Sequence, residues 1–273
     1  MYNETTVSEF ILLGLSTSPE LQVVLFSVFL LMYIICMTGN LIIIIITSVD
    51  PALNTPMYFF LSNLSFLDTV CTTSTIPNIL KDILSIQKSI SVLACLAQSY
   101  VFFLSGIAGF LILAVMSVDR YIAICFPLQY STIINRHFCI QVIIGVWFGS
   151  FISLLIPSYL VMSLTFCFSE IDHFMCDVGP LLKNACTNTD HIEKCVLVSS
   201  SVVVISFFCD LYISYVNIII AVAKISHGGK ERIISACSSH AVAVSLVYGS
   251  CIFMYSQPNS QRYFIKKKCV CNE

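Results

Sequence analysis

Residues 89–130 read SISVLACLAQSYVFFLSGIAGFLILAVMSVDRYIAICFPLQY, and residues 89–118 of this stretch contain no Asp, Glu, Lys or Arg. Asp119 and Arg120 then stand side by side. A helix crosses a bilayer with about 20 mostly apolar residues, so this run is long enough to span. Its acid and base then fall at the membrane edge, where charge is tolerated, rather than at the costly midplane. The same pattern recurs along the chain. Residues 21–49, 138–169 and 233–261 are free of charged side chains, 51–80 holds only Asp68, and 195–223 holds only Asp210. All-round apolarity at this length belongs to membrane helices rather than core helices. None of the runs alternates as the strands of a membrane β-barrel do.

The expected fold class is therefore an all-α membrane protein, a helix bundle over residues 21–258. Its six spans lie near 21–49, 56–80, 89–120, 138–162, 195–224 and 232–256. An extracellular tail over 1–20 precedes them, and a polar, basic tail over 259–273 follows. Composition agrees: of 273 residues, 58% are hydrophobic and 10% charged, against roughly 25% charged in soluble domains. The net charge of −2 offers no basic face to nucleic acid, and that partner is excluded. No Ser/His/Asp or HExxH arrangement is visible, so the chain does not read as an enzyme. Nor does it carry the filter loops or matched repeats of a channel or transporter.

Lysines and arginines flanking the first span are too few to orient it. The sequon Asn3-Glu4-Thr5 is usable only on the outer side and is the expected glycosylation site. A second sequon, Asn63-Leu64-Ser65, falls inside the second span and is inaccessible. An outside N-terminus also brings Cys95 and the loop cysteines Cys167, Cys176 and Cys186 to the oxidising side. Four cysteines allow three pairings, and spacing alone does not choose among them. Cys36, Cys71, Cys125, Cys139, Cys209, Cys237 and Cys251 read as small apolar fillers. Residues 170–194 read as a solvated acidic cap.

Asp210 is expected to be a neutral structural acid and His240 a packed, neutral histidine. His173, Cys176 and Asp177 resemble a metal-ligand set. Cys176 is wanted for a disulfide, however, so no metal and no cofactor is expected. The outer halves of the spans offer Phe102, Phe103, Gly106, Ile107 and Phe110, then Ser199, Ser200 and Val203, then Tyr248, Cys251, Ile252 and Tyr255. A mainly apolar, aromatic cavity with a few hydroxyls and no carboxylate suits a small neutral ligand. Ordinary helix packing is the competing account of each of these residues.

Several motifs occur in order: SEFILLGLS (8–16), PMYFFLSNLSFLD (56–68), LAVMSVDRYIAICFPLQY (113–130), Ser214-Tyr215 and ACSSHAVAVSLVYGSCIFMY (236–255). With Gly39-Asn40 and Trp147 they resemble the rhodopsin-like G-protein-coupled receptors and, more closely, the olfactory receptors. The resemblance implies a seven-helix bundle at the plasma membrane, with a switch made of Asp119, Arg120, Tyr121 and Tyr215. In such receptors the arginine pairs with its neighbouring acid at rest and is released to a heterotrimeric G protein, here of the olfactory stimulatory type. It further implies a polar core of Asn40 and Asp68, and the disulfides Cys95–Cys176 and Cys167–Cys186, with Cys95–Cys186 as the alternative.

Three positions depart from the family pattern. Val118 replaces a tyrosine, and Gly109 replaces an acid. After Tyr255 only eighteen residues follow, SQPNSQRYFIKKKCVCNE, too few to span. The seventh helix is expected to be missing. This favours a competing reading: a truncated, non-signalling chain, retained in the endoplasmic reticulum, that associates with other receptors and affects their folding or export.

Overall fold

The computed structural model describes residues 7–14, 18–85, 88–223, 238, 241–247 and 249–250, and only the backbone of 203, 204, 210, 211 and 221–223. By its contacts the chain divides into Met1–Asn217 and Ile218–Glu273. In chain order the elements are β1 (Glu9–Leu12), α1 (Pro19–Val49), α2 (Pro56–Leu84), β2 (Ser89–Ser91), α3 (Val92–Cys125), α4 (Tyr130–Ile133), α5 (Arg136–Met162), β3 (Glu170–Ile171), α6 (Val178–Lys183) and α7 (Asp190–Ala223). In the second unit, residues 218–223 end α7, residues 238, 241–247 and 249–250 are helical, and Val244 is buried.

Local chemistry explains where the helices begin. Pro19 and Pro56 open α1 and α2, where a missing N–H costs nothing and the fixed φ suits a first turn. Asn135 caps α5 by accepting the Phe138 N–H at 2.9 Å. Ser91 caps α3 by accepting the Ala94 N–H at 3.2 Å. The third span thus starts at Val92, not near residue 89, because Ser89–Ser91 is extended and paired with β1.

Among the described residues, four helices are long and apolar enough to cross a membrane: Pro19–Val49, Val92–Cys125, Arg136–Met162 and Asp190–Ile220. The expected second span is as long but too polar to join them. Its place in the bundle explains why. α2 packs on α1, α3 and α5, and a helix enclosed by protein needs fewer lipid-compatible side chains. Its polar groups bond to their own helix, as in Asn63 to the Phe59 carbonyl at 2.8 Å and Thr69 to the Ser65 carbonyl at 2.8 Å. The core between α2, α3 and α5 contains Phe60, Leu67, Ile112, Met116, Ile143 and Val146. α1, at the flank, buries no residue fully.

A second cluster forms at the end of the bundle that carries the disulfides. Cys95 is bonded to Cys176 and Cys167 to Cys186, with Cα separations of 5.3 and 5.0 Å. Residues 170–194 are more than a solvated cap, since they supply β3 and α6 with buried Leu181. The expected N-terminal tail contains β1, the middle strand of a sheet ordered β2-β1-β3. Pairing is antiparallel to β2 (Phe10 opposite Ile90) and parallel to β3 (Leu12 opposite Ile171). Phe10 and Leu12 share one face of β1 and pack with Cys95, Phe166, Ile171, Cys176 and Leu181.

Candidate functional site

The C-terminal end of α3 holds the acid and base singled out in the sequence. Asp119 is 3% exposed. Its Oδ1 accepts a hydrogen bond of 2.8 Å from the Tyr130 hydroxyl, at the start of α4. Burial, and then this bond, push the Tyr130 phenol above its ordinary range.

The expected partners Asp119 and Arg120 form no direct ion pair among the described residues, although their charges still interact. Successive side chains on a helix diverge by about 100° and do not face each other. The arginine Nε is enclosed without a hydrogen-bond partner among the described residues. Tyr121 packs edge-on against Phe126, centroids 5.9 Å apart. Tyr215 is half-buried beside buried Ser214 in α7. The connection after α3 is pinned at Tyr130 and at buried Ile134, while Leu128 between them is 94% exposed.

The Tyr130 bond is testable by itself. Tyr130→Phe leaves a buried carboxylate oxygen without its donor, which costs about 1–3 kcal/mol. We expect a lower melting temperature for the detergent-solubilised variant. An unchanged melting curve would mean that the bond adds nothing to stability.

Asn40 and Asp68, the expected polar core, are not joined. The Asn40 amide reaches back one turn to Cys36 Sγ at 3.4 Å, and that sulfur lies 3.5 Å from Thr72 Oγ1. An i−4 partner on the same helix is closer at hand than a carboxylate on the next. Asp68 itself is exposed. The expected absence of a metal site concerns His173, Cys176 and Asp177. Of these, Cys176 is in a disulfide, and His173 Nδ1 accepts the Met175 N–H at 3.2 Å.

Towards the disulfide end of α3, Phe102 and Phe103 meet edge-on at 5.5 Å. Phe110 stacks on Phe207 of α7 at 6.1 Å, so its ring takes part in helix packing. Ile107 is half-buried, and a side chain at Gly106 would meet no atom within 4 Å. Ser199 and Ser200 each donate to the Val196 carbonyl, at 3.0 and 2.8 Å, which leaves oxygen lone pairs free to accept. None of these residues lines the shallow apolar cleft of about 530 Å³ formed by Leu104, Ile143, Ile144, Trp147, Phe148 and Phe151. Asn3, His240, Tyr248, Cys251, Ile252 and Tyr255 lie outside the described residues, as do the side chains of Val203 and Asp210.

Comparison with known proteins names the architecture. The family described as 7 transmembrane receptor (rhodopsin family) matches residues 39–273. Olfactory receptor 6S1 of Homo sapiens is 44% identical over 255 residues, 92% of this chain and 77% of the relative's length. Olfactory receptor 6C3 of Homo sapiens is 42% identical over 261 residues, 95% and 84% of the two lengths. Olfactory receptor 1M1 of Mus musculus is 44% identical over 269 residues, 97% and 86%.

The chain belongs to the olfactory receptors of the rhodopsin family. This receptor is a multi-pass membrane protein and not an enzyme. The family match includes the polar, basic tail over 259–273. Sequence reasoning passed over Tyr130, exposed Leu128, buried Gln98 and the strand residues Phe10 and Leu12. Phe10 and Leu12 alternate with Glu9 and Ile11 only in burial; because Ile11 is apolar too, the sequence carries no polar alternation to mark the strand.

Proposed function

We propose that the receptor takes small, neutral, largely apolar volatile ligands from outside the cell and activates a heterotrimeric G protein of the olfactory stimulatory type. In this reading it sits in the plasma membrane with its N-terminus, the sheet and both disulfides outside, and Asn3 glycosylated. The inner end of α3 carries the proposal. Asp119 takes its hydrogen bond from Tyr130, Arg120 Nε has no hydrogen-bond partner among the described residues, and an exposed leucine, Leu128, stands on the adjoining connection. A cation and an apolar knob on neighbouring segments suit a partner helix whose C-terminus presents carbonyls and a carboxylate. Asp119, Arg120, Tyr121 and Tyr215 make up the switch.

The ligand class rests on the other end of α3. Phe102, Phe103, Gly106, Ile107 and Phe110, with Ser199, Ser200 and Val203 of α7, supply rings, methyls and hydroxyls but no carboxylate. Tyr248, Cys251, Ile252 and Tyr255 join the proposal on the sequence alone. An amine would be desolvated there without a counter-charge, at a cost of several kcal/mol, whereas a neutral alcohol, ester or ketone keeps its one polar group on a serine. A cyclic-AMP reporter in cells expressing the receptor, challenged with neutral, acidic and amine odorants, tests this. Responses to neutral compounds are expected, and selective responses to amines alone would rule the reading out.

A further inference from the structure

The segment SEFILLGLS carries part of the family resemblance, yet neither the proposed switch nor the ligand lining uses it. The structure gives it a place. Among the described residues β1 is the strand that touches both others, since the order is β2-β1-β3, and without it β2 and β3 have no strand partner there. Its backbone bonds alternate sides. Leu12 N–H donates to the Lys88 carbonyl at 2.9 Å, while Ile11 and Leu13 N–H donate to the Ser169 and Ile171 carbonyls at 2.7 and 2.9 Å. Phe10 and Leu12 are 0% and 2% exposed, and Phe10 meets Phe166 edge-on at 5.1 Å. At Gly14 the chain leaves the sheet through φ +55°, a conformation that glycine adopts without strain.

Apart from the sheet and the apolar cluster around Cys95, two ties among the described residues bind the loop between α5 and α7 to α3, and both end on one residue. The first is the Cys95–Cys176 disulfide. The second is the Gln98 side chain, which donates to the Ser74 carbonyl of α2 at 2.9 Å and accepts the Cys176 N–H at 3.4 Å. A loop held at one point can still swing about it, and a second tie upstream, at Glu170–Ile171, removes that freedom. β3 has only two residues, too few to persist without a partner strand. The crevice beside the seam, lined by Leu12, Gly14, Ile79, Asp82, Ile83, Lys88 and Phe174, is about 10 Å³, space for a single water at most.

We propose that residues 8–13 form an intramolecular clasp, an extended segment that docks between β2 and β3 and fixes the loop over the end of α3, so that the receptor needs it to reach the cell surface. Phe10 is its anchor and acts by positioning the loop.

The test uses the full chain with an N-terminal epitope tag and measures the fraction at the cell surface. Phe10→Asp is expected to lower it several-fold, since modest losses of stability change abundance by such factors. Phe10→Leu, which keeps an apolar anchor, should stay within about twofold of the parent. Rescue separates clasping from a general folding defect. Ile11 and Ser89 are opposed, in a non-hydrogen-bonded pair whose side chains stand close. Ile11→Cys with Ser89→Cys should therefore cross-link in the parent chain and, added to Phe10→Asp, restore most of the surface fraction. The clasp is overturned by wild-type surface amounts for Phe10→Asp, by no cross-link in the parent chain, or by a cross-link that forms without rescue. None of these outcomes depends on an odorant, so they stand apart from the reading of the ligand and the G protein.

Discussion

Replacing Arg120 with alanine should abolish the odorant-driven cyclic-AMP response while leaving the amount of receptor at the surface within about twofold of the parent. The two halves of this expectation have separate grounds. In the structure the arginine holds no carboxylate: Asp119 is satisfied by Tyr130, and Arg120 Nε has no partner among the described residues. Its removal therefore breaks no hydrogen bond among the described residues, although it takes a nearby positive charge away from buried Asp119. Coupling is another matter. A guanidinium is always charged and offers five donors in a rigid fork, and hydrogen bonds to a charged group contribute about 1.5–3 kcal/mol each. Losing two of them to a G protein's carbonyls or carboxylate amounts to about 3 kcal/mol or more, roughly a hundredfold in affinity. Lysine keeps the charge but not the fork, so Arg120→Lys should fall between. The reporter should still respond to direct activation of adenylyl cyclase. A full odorant response from Arg120→Ala would remove this residue from the switch.

Much of the bundle was legible in the sequence, because a lipid solvent leaves a coarse signal: twenty or more residues without charge. The ends of the elements were harder. Ser89–Ser91 is as uncharged as the helix it precedes, and only its pairing with Glu9–Leu12 sets it apart. Such pairing joins residues about eighty positions apart, and no local pattern encodes it. The polarity of α2 misleads in the other direction, since a helix enclosed by neighbours need not be apolar all round. At the proposed switch, the adjacency of Asp119 and Arg120 suggested an ion pair that helix geometry disfavours. Tyr130 could not be nominated without knowing that the chain folds back after Cys125. Asn40 illustrates the same point. A side chain with a partner one turn away on its own helix uses it before reaching across to Asp68.

The disulfides give the second large effect, with an order attached. Cys95 and Cys176 are 81 positions apart and Cys167 and Cys186 only 19. If each bond acts by limiting the unfolded chain, the longer loop is worth about 4.5 kcal/mol and the shorter about 3.2. Burial widens the gap. Cys95 and Cys176 are both fully enclosed in the cluster of Phe10, Leu12, Phe166, Ile171 and Leu181, so an unpaired thiol or hydroxyl there has little room to relax. Cys176→Ser should therefore remove nearly all surface receptor at 37 °C, and the double variant Cys95→Ser with Cys176→Ser should do no worse. Cys167→Ser should leave a measurable fraction, because the clasp strand and the Cys95–Cys176 bond still seat the loop around it. Surface labelling of the three variants beside the parent reads out the order. If Cys167→Ser proves as damaging as Cys176→Ser, the loop owes its seat to its own closure rather than to its bond with α3.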